Sequence, residues 1–171
     1  MNLDYKSMLP EDFSENSRIW IYQSSRLFSL SESIEIEDRL KSFLAVWNAH
    51  GSKVKGFGTL FFGRFIVLMG DETSVQVSGC STDSSVRFIR DLEHSFQVRL
   101  FDRTTLAFIK EEKVEILALS DFNHACLQGY IMADTLYFNN TILTKKDLVE
   151  KWVVPVKESW LSTRMHTKVP G

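Results

Sequence analysis

Residues 65–69, Phe-Ile-Val-Leu-Met, form an uninterrupted apolar run. A run this short with no polar alternation reads as a central strand buried on both faces. The flanking segments read as its partners. Arg18–Gln23 (R-I-W-I-Y-Q) is rich in β-branched and aromatic residues and predicts a strand. Lys53–Phe62 predicts a second strand, loosened by Gly56 and Gly58, and a two-residue Gly63-Arg64 turn is expected to join it to the apolar run.

Two helices are expected around these strands. Ile36, Leu40, Phe43, Leu44 and Trp47 recur at helical spacing, which predicts a helix from a Ser29 or Ser31 cap to about His50, stopped by Gly51. After a polar connection over 70–82, Val86, Ile89, Leu92 and Phe96 predict a second helix from about Asp83 to Phe96. Thr104–Lys110 and Lys113–Leu119 read as strands joined by a tight Glu111-Glu112 turn. The order is β-α-β-β-α-β-β. Its first six elements are those of an α+β, ferredoxin-like βαββαβ fold with both helices on one face of an antiparallel sheet. The remainder predicts a helix through about Gln128, a strand over Thr135–Phe138, a helix over Lys145–Trp152 capped by Thr144, and a short helix opened by Pro155. Residues 1–17 read as a loose lead-in and Thr163–Gly171 as a frayed end. The expectation is one domain over 1–171, with a core at about 18–119 and an extension over 120–162 packed on it.

Composition narrows the function classes. Thirteen phenylalanines in 171 residues can build a core without disulfides or metals. A net charge of −2 argues against a dedicated nucleic-acid binder. Two distant cysteines, Cys80 and Cys126, make no disulfide framework and favour a reducing compartment. With no signal-like start and no long apolar segment, a soluble cytoplasmic protein is expected, without membrane or nucleic-acid partners. No P-loop is present: the two glycine pairs at the right spacing, Gly51/Gly56 and Gly58/Gly63, lack the Lys-Ser/Thr that must follow. His50, His94, His124 and His166 make no ligand spacing, so neither a metal nor a cofactor is expected.

The chemistry-bearing stretch is residues 78–90, a hydroxyl-rich turn running into the second helix. A helix N-terminus favours anions and thiolates. Cys80 is therefore the candidate nucleophile, His50 its candidate base and Asp83 an orienting group. Ser78, Ser81 and Ser84, with Arg103 and Asn139, are the candidate ligand-binding residues. Each has a plainer reading as a cap, a packing residue or a loop anchor.

The ordered set R-I-W-I-Y-Q at 18–23, W-N-A-H-G at 47–51, G-R-F-I-V-L at 63–68, S-G-C-S-T-D-S-S-V at 78–86, F-D-R at 101–103, F-N-N at 138–140 and S-W at 159–160 resembles a family of small bacterial proteins labelled "ABC transporter ATPase". The label implies ATP binding, for which this chain lacks the Walker A motif. The resemblance itself implies a compact bacterial cytoplasmic protein and the shortlist His50, Ser78, Cys80, Asp83, Ser84, Arg103 and Asn139. The functional expectation is a non-catalytic ligand-binding or protein-interaction module, with a homodimer through a sheet edge or open sheet face. The alternative is an enzyme or ligand sensor using the Cys80 thiol and an anionic ligand.

Overall fold

A computed structural model describes residues 2–165. The chain is α+β and divides into two compact units. The first comprises Asn2–Asp102 with Ile142–Val149, and the second Arg103–Thr141 with the residues from Glu150 onward.

The first unit is organised around the apolar run. Its elements are β1 (Arg18–Gln23), α1 (Leu30–Val46), the short strands β2 (Asn48–Ala49) and β3 (Ser52–Lys53), β4 (Lys55–Phe61), β5 (Phe65–Asp71) and α2 (Gly79–Phe96). The sheet order is β1-β5-β4, antiparallel throughout, and every residue of β5 is buried. In register, Trp20 lies opposite Leu68 and Tyr22 opposite Ile66, while Gly58 lies opposite Leu68 and Leu60 opposite Ile66. These residues share one face of the pleat. Both helices pack on that face, with Ile36 and Leu40 of α1 and Ile89, Leu92 and Phe96 of α2 in one core with Tyr22, Ile66 and Leu68. Gly56, Gly58 and Gly70 lie on it too, and their missing side chains give room to the helix layer. A Cβ on Gly56 would stand 2.8 Å from the Trp47 ring, and one on Gly70 2.9 Å from Val77.

The opposite face, carrying Ile19, Ile21, Val67, Met69 and Phe61, is buried as well. It is therefore not an open surface for a second copy. The lead-in is not loose: Tyr5 and Leu9 are buried, and Tyr5 donates its hydroxyl to the Leu148 carbonyl (2.9 Å). Lys145 donates its ammonium to the carbonyls of Pro10 and Phe13.

The ferredoxin-like four-stranded sheet does not form in this arrangement. The place beside β1 is taken by Leu143–Lys145: Ile19 N–H donates to the Leu143 carbonyl and Lys145 N–H to the Ser17 carbonyl. The expected last strand of that sheet belongs to the second unit. There, β6 (Thr105–Lys110), β7 (Lys113–Ala118), α3 (Phe122–Leu127), β8 (Leu136–Phe138) and β9 (Val153–Pro155) follow one another, while α4 (Lys145–Lys151), between the last two in sequence, belongs to the first unit as far as Val149. Their sheet runs β7-β6-β8-β9. Its core joins Phe108, Phe122, Tyr137 and Val156, with Phe108 and Phe122 stacked at 6.2 Å. Trp152 is fully buried, whereas Trp160 stays 37% exposed and donates its indole N–H to Tyr137 Oη. The short helix expected after Pro155 is two 3-10 turns, Val156–Glu158 and Trp160–Arg164. Of the expected frayed end, residues 166–171 lie outside the described residues.

Local differences have local causes. Helix α1 stops at Val46, because Asn48–Ala49 pairs with Ser52–Lys53 across a His50-Gly51 turn with φ +49° and +79°. The turn before β5 is centred on Phe62-Gly63, both at positive φ, with Arg64 N–H donating to the Phe61 carbonyl. That lies one residue before the expected Gly63-Arg64 turn. Among the described residues no helix is long and apolar enough to cross a membrane.

Candidate functional site

The second helix begins four residues earlier than its apolar stripe suggests, and the cause is a serine pair. Ser78 is the N-cap, accepting from Ser81 N–H (3.2 Å), while Ser81 Oγ accepts from Ser78 N–H (2.7 Å). This reciprocal box satisfies two of the free donors of a helix start. The other hydroxyls turn back on the helix as well. Thr82 donates to the Ser78 carbonyl, Ser84 to that of Ser81 (2.8 Å) and Ser85 to that of Thr82 (2.8 Å). Trp47 fixes the same turn through its indole N–H to the Ser81 carbonyl (2.9 Å). Ser78 and Ser81 are buried, so a ligand reaching them has to open the cap.

Cys80 therefore lies inside the first turn of α2, free and exposed. Asp83 is exposed one turn on. His50 is exposed at the tip of the β2–β3 turn, and β2, ending one residue before it, packs against α2. Of the candidates, Cys80, Ser78, Ser81, Asp83, Ser84 and His50 thus belong to one region of the first unit. Arg103 and Asn139 belong to the second unit. There Arg103 is exposed, and Asn139 Oδ1 accepts from the Thr141 hydroxyl (2.6 Å) in a local turn. Among the described residues, no three His, Cys, Asp or Glu side chains gather as a metal site.

Beside this region the structure opens a groove of about 520 Å³ between α1 and α2. Its floor is aromatic: Phe43 and Phe88 stack at 4.5 Å with an angle of 10° between their rings, and Trp47 meets Phe43 at 5.4 Å. Phe43 and Phe88 are only half-buried. Arg39, Arg87 and Asp91 stand on the rim, with Ser84 at the end nearer the start of α2. Arg39 reaches Glu35 at 3.7 Å and lies over the Phe96 ring. Arg87 and Asp91 make no ion pair among the described residues. Cys80, Ser84, Phe88 and Asp91 are spaced by four, four and three residues, so they follow one stripe of α2. A depression of about 530 Å³ beside β4 is less suited to a ligand, since its Lys55 is already paired with Asp12 and Asp71.

From sequence, Phe43 belongs to the apolar stripe of the first helix, and Phe88 stands outside the four residues that define the stripe of the second. A signal was present. Phe88 precedes Leu92 by four residues and Phe96 by eight, so it extends the apolar stripe of the helix along one edge. Comparison with known proteins found no family model, curated protein or solved structure that matches this chain.

Proposed function

We propose that this chain is a non-catalytic ligand-binding module and that its ligand occupies the groove between α1 and α2. The observation that carries this reading is the Phe43–Phe88 stack, packed against the helix core yet not fully covered on its groove side. Aromatic surface left partly uncovered in a shallow depression, beside the exposed Val46, is apolar area that a ligand would bury. The volume lies within the range of small-molecule sites, and apolar floors with a few polar groups are their usual make-up. The test is a nitrogen-15 NMR screen with small aromatic fragments such as indole and 2-naphthol. The expected result is shifts confined to residues 39–47 and 80–91 that vanish in Phe88→Ala. Fragments that leave these residues unmoved, or shifts that survive Phe88→Ala, remove the reading.

A second reading, a sensor or enzyme using Cys80, draws on the packing of the His50-bearing hairpin against α2. The W-N-A-H-G and S-G-C-S-T-D-S-S-V motifs meet there. Under this reading Cys80 is alkylated rapidly at neutral pH, far faster than buried Cys126, and His50→Ala slows it. A rate indifferent to His50→Ala and to added phosphate discards the reading.

A further inference from the structure

We infer that the groove takes a flat aromatic anion, its ring against the Phe43–Phe88 pair and its acid group at Arg87. This rests on the binding-module reading and names the ligand class. Three observations converge on it. The floor is made of parallel rings, which favours a flat ring over an aliphatic chain. The rim carries two guanidinium groups against one carboxylate, in a chain whose overall charge is −2. Of those two, Arg87 is exposed and has no carboxylate partner among the described residues, so its fork is available for a bidentate acid. Asp83 and Asp91 stand one helical turn to either side of Arg87, so the acid group is held by Arg87 itself rather than by either end of the groove. Two arginines are too few for a nucleic-acid backbone, which needs an extended basic track.

The test compares 2-naphthoate with its neutral twin, naphthalene-2-methanol, and with inorganic phosphate, each titrated at low ionic strength and read from the amide signals of residues 39–47 and 80–91. The expected result is about tenfold tighter binding of 2-naphthoate than of the alcohol, equivalent to one charge-assisted pair. Phosphate alone should bind far more weakly than either naphthyl compound. In Arg87→Gln the preference should shrink to about two- or threefold, whereas Asp91→Asn should tighten naphthoate and leave the alcohol unchanged. Both positions are solvent-facing, so the fold should survive both changes. Equal affinity for the naphthyl twins, a preference untouched by Arg87→Gln, or phosphate binding as tightly as naphthoate each overturn the ligand class while leaving the groove as a binding site. Absence of any groove shift with every aromatic probe overturns the binding-module reading together with it.

Discussion

At the scale of single residues, the clearest electrostatic feature is Asp71, at the end of β5 and 4% exposed. Its carboxylate accepts from the Thr73 hydroxyl and N–H and from Ser14 N–H, with the Lys55 ammonium at 3.4 Å. The Thr73 hydroxyl leads in holding its pKa down to about 2, against burial, which pushes the other way. A carboxyl depressed on folding stabilises the native state above its unfolded pKa, and that stability is lost as pH falls toward the folded value. The prediction is that the wild-type advantage over Asp71→Asn in denaturant unfolding shrinks by about 2 kcal/mol between about pH 5 and pH 2. A constant difference across that window would show that the carboxylate has no preferential bonding in the native state. The serines of 78–85 follow the same logic of satisfied groups. Their clustering suggested a ligand site, yet each of these hydroxyls has a backbone or side-chain partner within two turns. Sequence shows the hydroxyls, but their orientation depends on where the helix starts.

At the scale of elements, turns and close approaches decide more than propensity does. The Glu111-Glu112 turn of the β6–β7 hairpin was legible, because two polar residues between alternating strands leave few other options. The structure adds that both residues sit at positive φ, +47° and +60°. Left-handed backbone disfavours side chains with a Cβ, and Asn-Gly suits it. Glu111→Asn with Glu112→Gly should stabilise the protein by about 1 kcal/mol, a rise of about 3 °C in Tm. A fall in Tm would mean that the glutamates make compensating contacts. Glycines give a paired prediction of opposite sign. Gly56→Ala pushes a methyl against Trp47 and Leu44, both within 2.9 Å, and should cost about 1–3 kcal/mol. Gly79→Ala meets nothing within 4 Å in the first turn of α2 and should stabilise by about 0.5 kcal/mol. Thermal melts of the two variants displaced in the same direction would refute the close-approach account. From sequence, Gly56 and Gly58 read as strand weakeners. Their use, letting α1 settle onto the sheet, depends on which face carries the helix and so on tertiary structure.

At the scale of the whole molecule, the legible part of the fold was the local order β-α-β-β-α around 65–69, because hydrophobic period and turn chemistry are local. The fate of Thr105–Lys110 was not legible, since both possible sheets offer it an antiparallel neighbour and the choice depends on residues 136–138, far along the chain. The groove was half legible: its residues were visible, but their meeting required α1 and α2 to lie side by side. The same distance effect governs self-association, for which an unguarded sheet edge is the usual route. Strand β4 is an edge of the first sheet, and α1 guards it. Glu37 accepts from the Leu60 N–H (2.7 Å) and from the Thr59 hydroxyl (2.8 Å), occupying the position a second strand would use. Removing that acceptor leaves a half-buried N–H free, so Glu37→Ala should lose about 1–2 kcal/mol of stability. It should also raise the dimer fraction in light scattering at high concentration, whereas Glu37→Gln, which keeps a carbonyl acceptor, should stay close to wild type. If Glu37→Ala loses stability but self-associates no more than wild type, the carboxylate is a structural bond only, and any homodimer of this chain is formed by a surface other than the β4 edge.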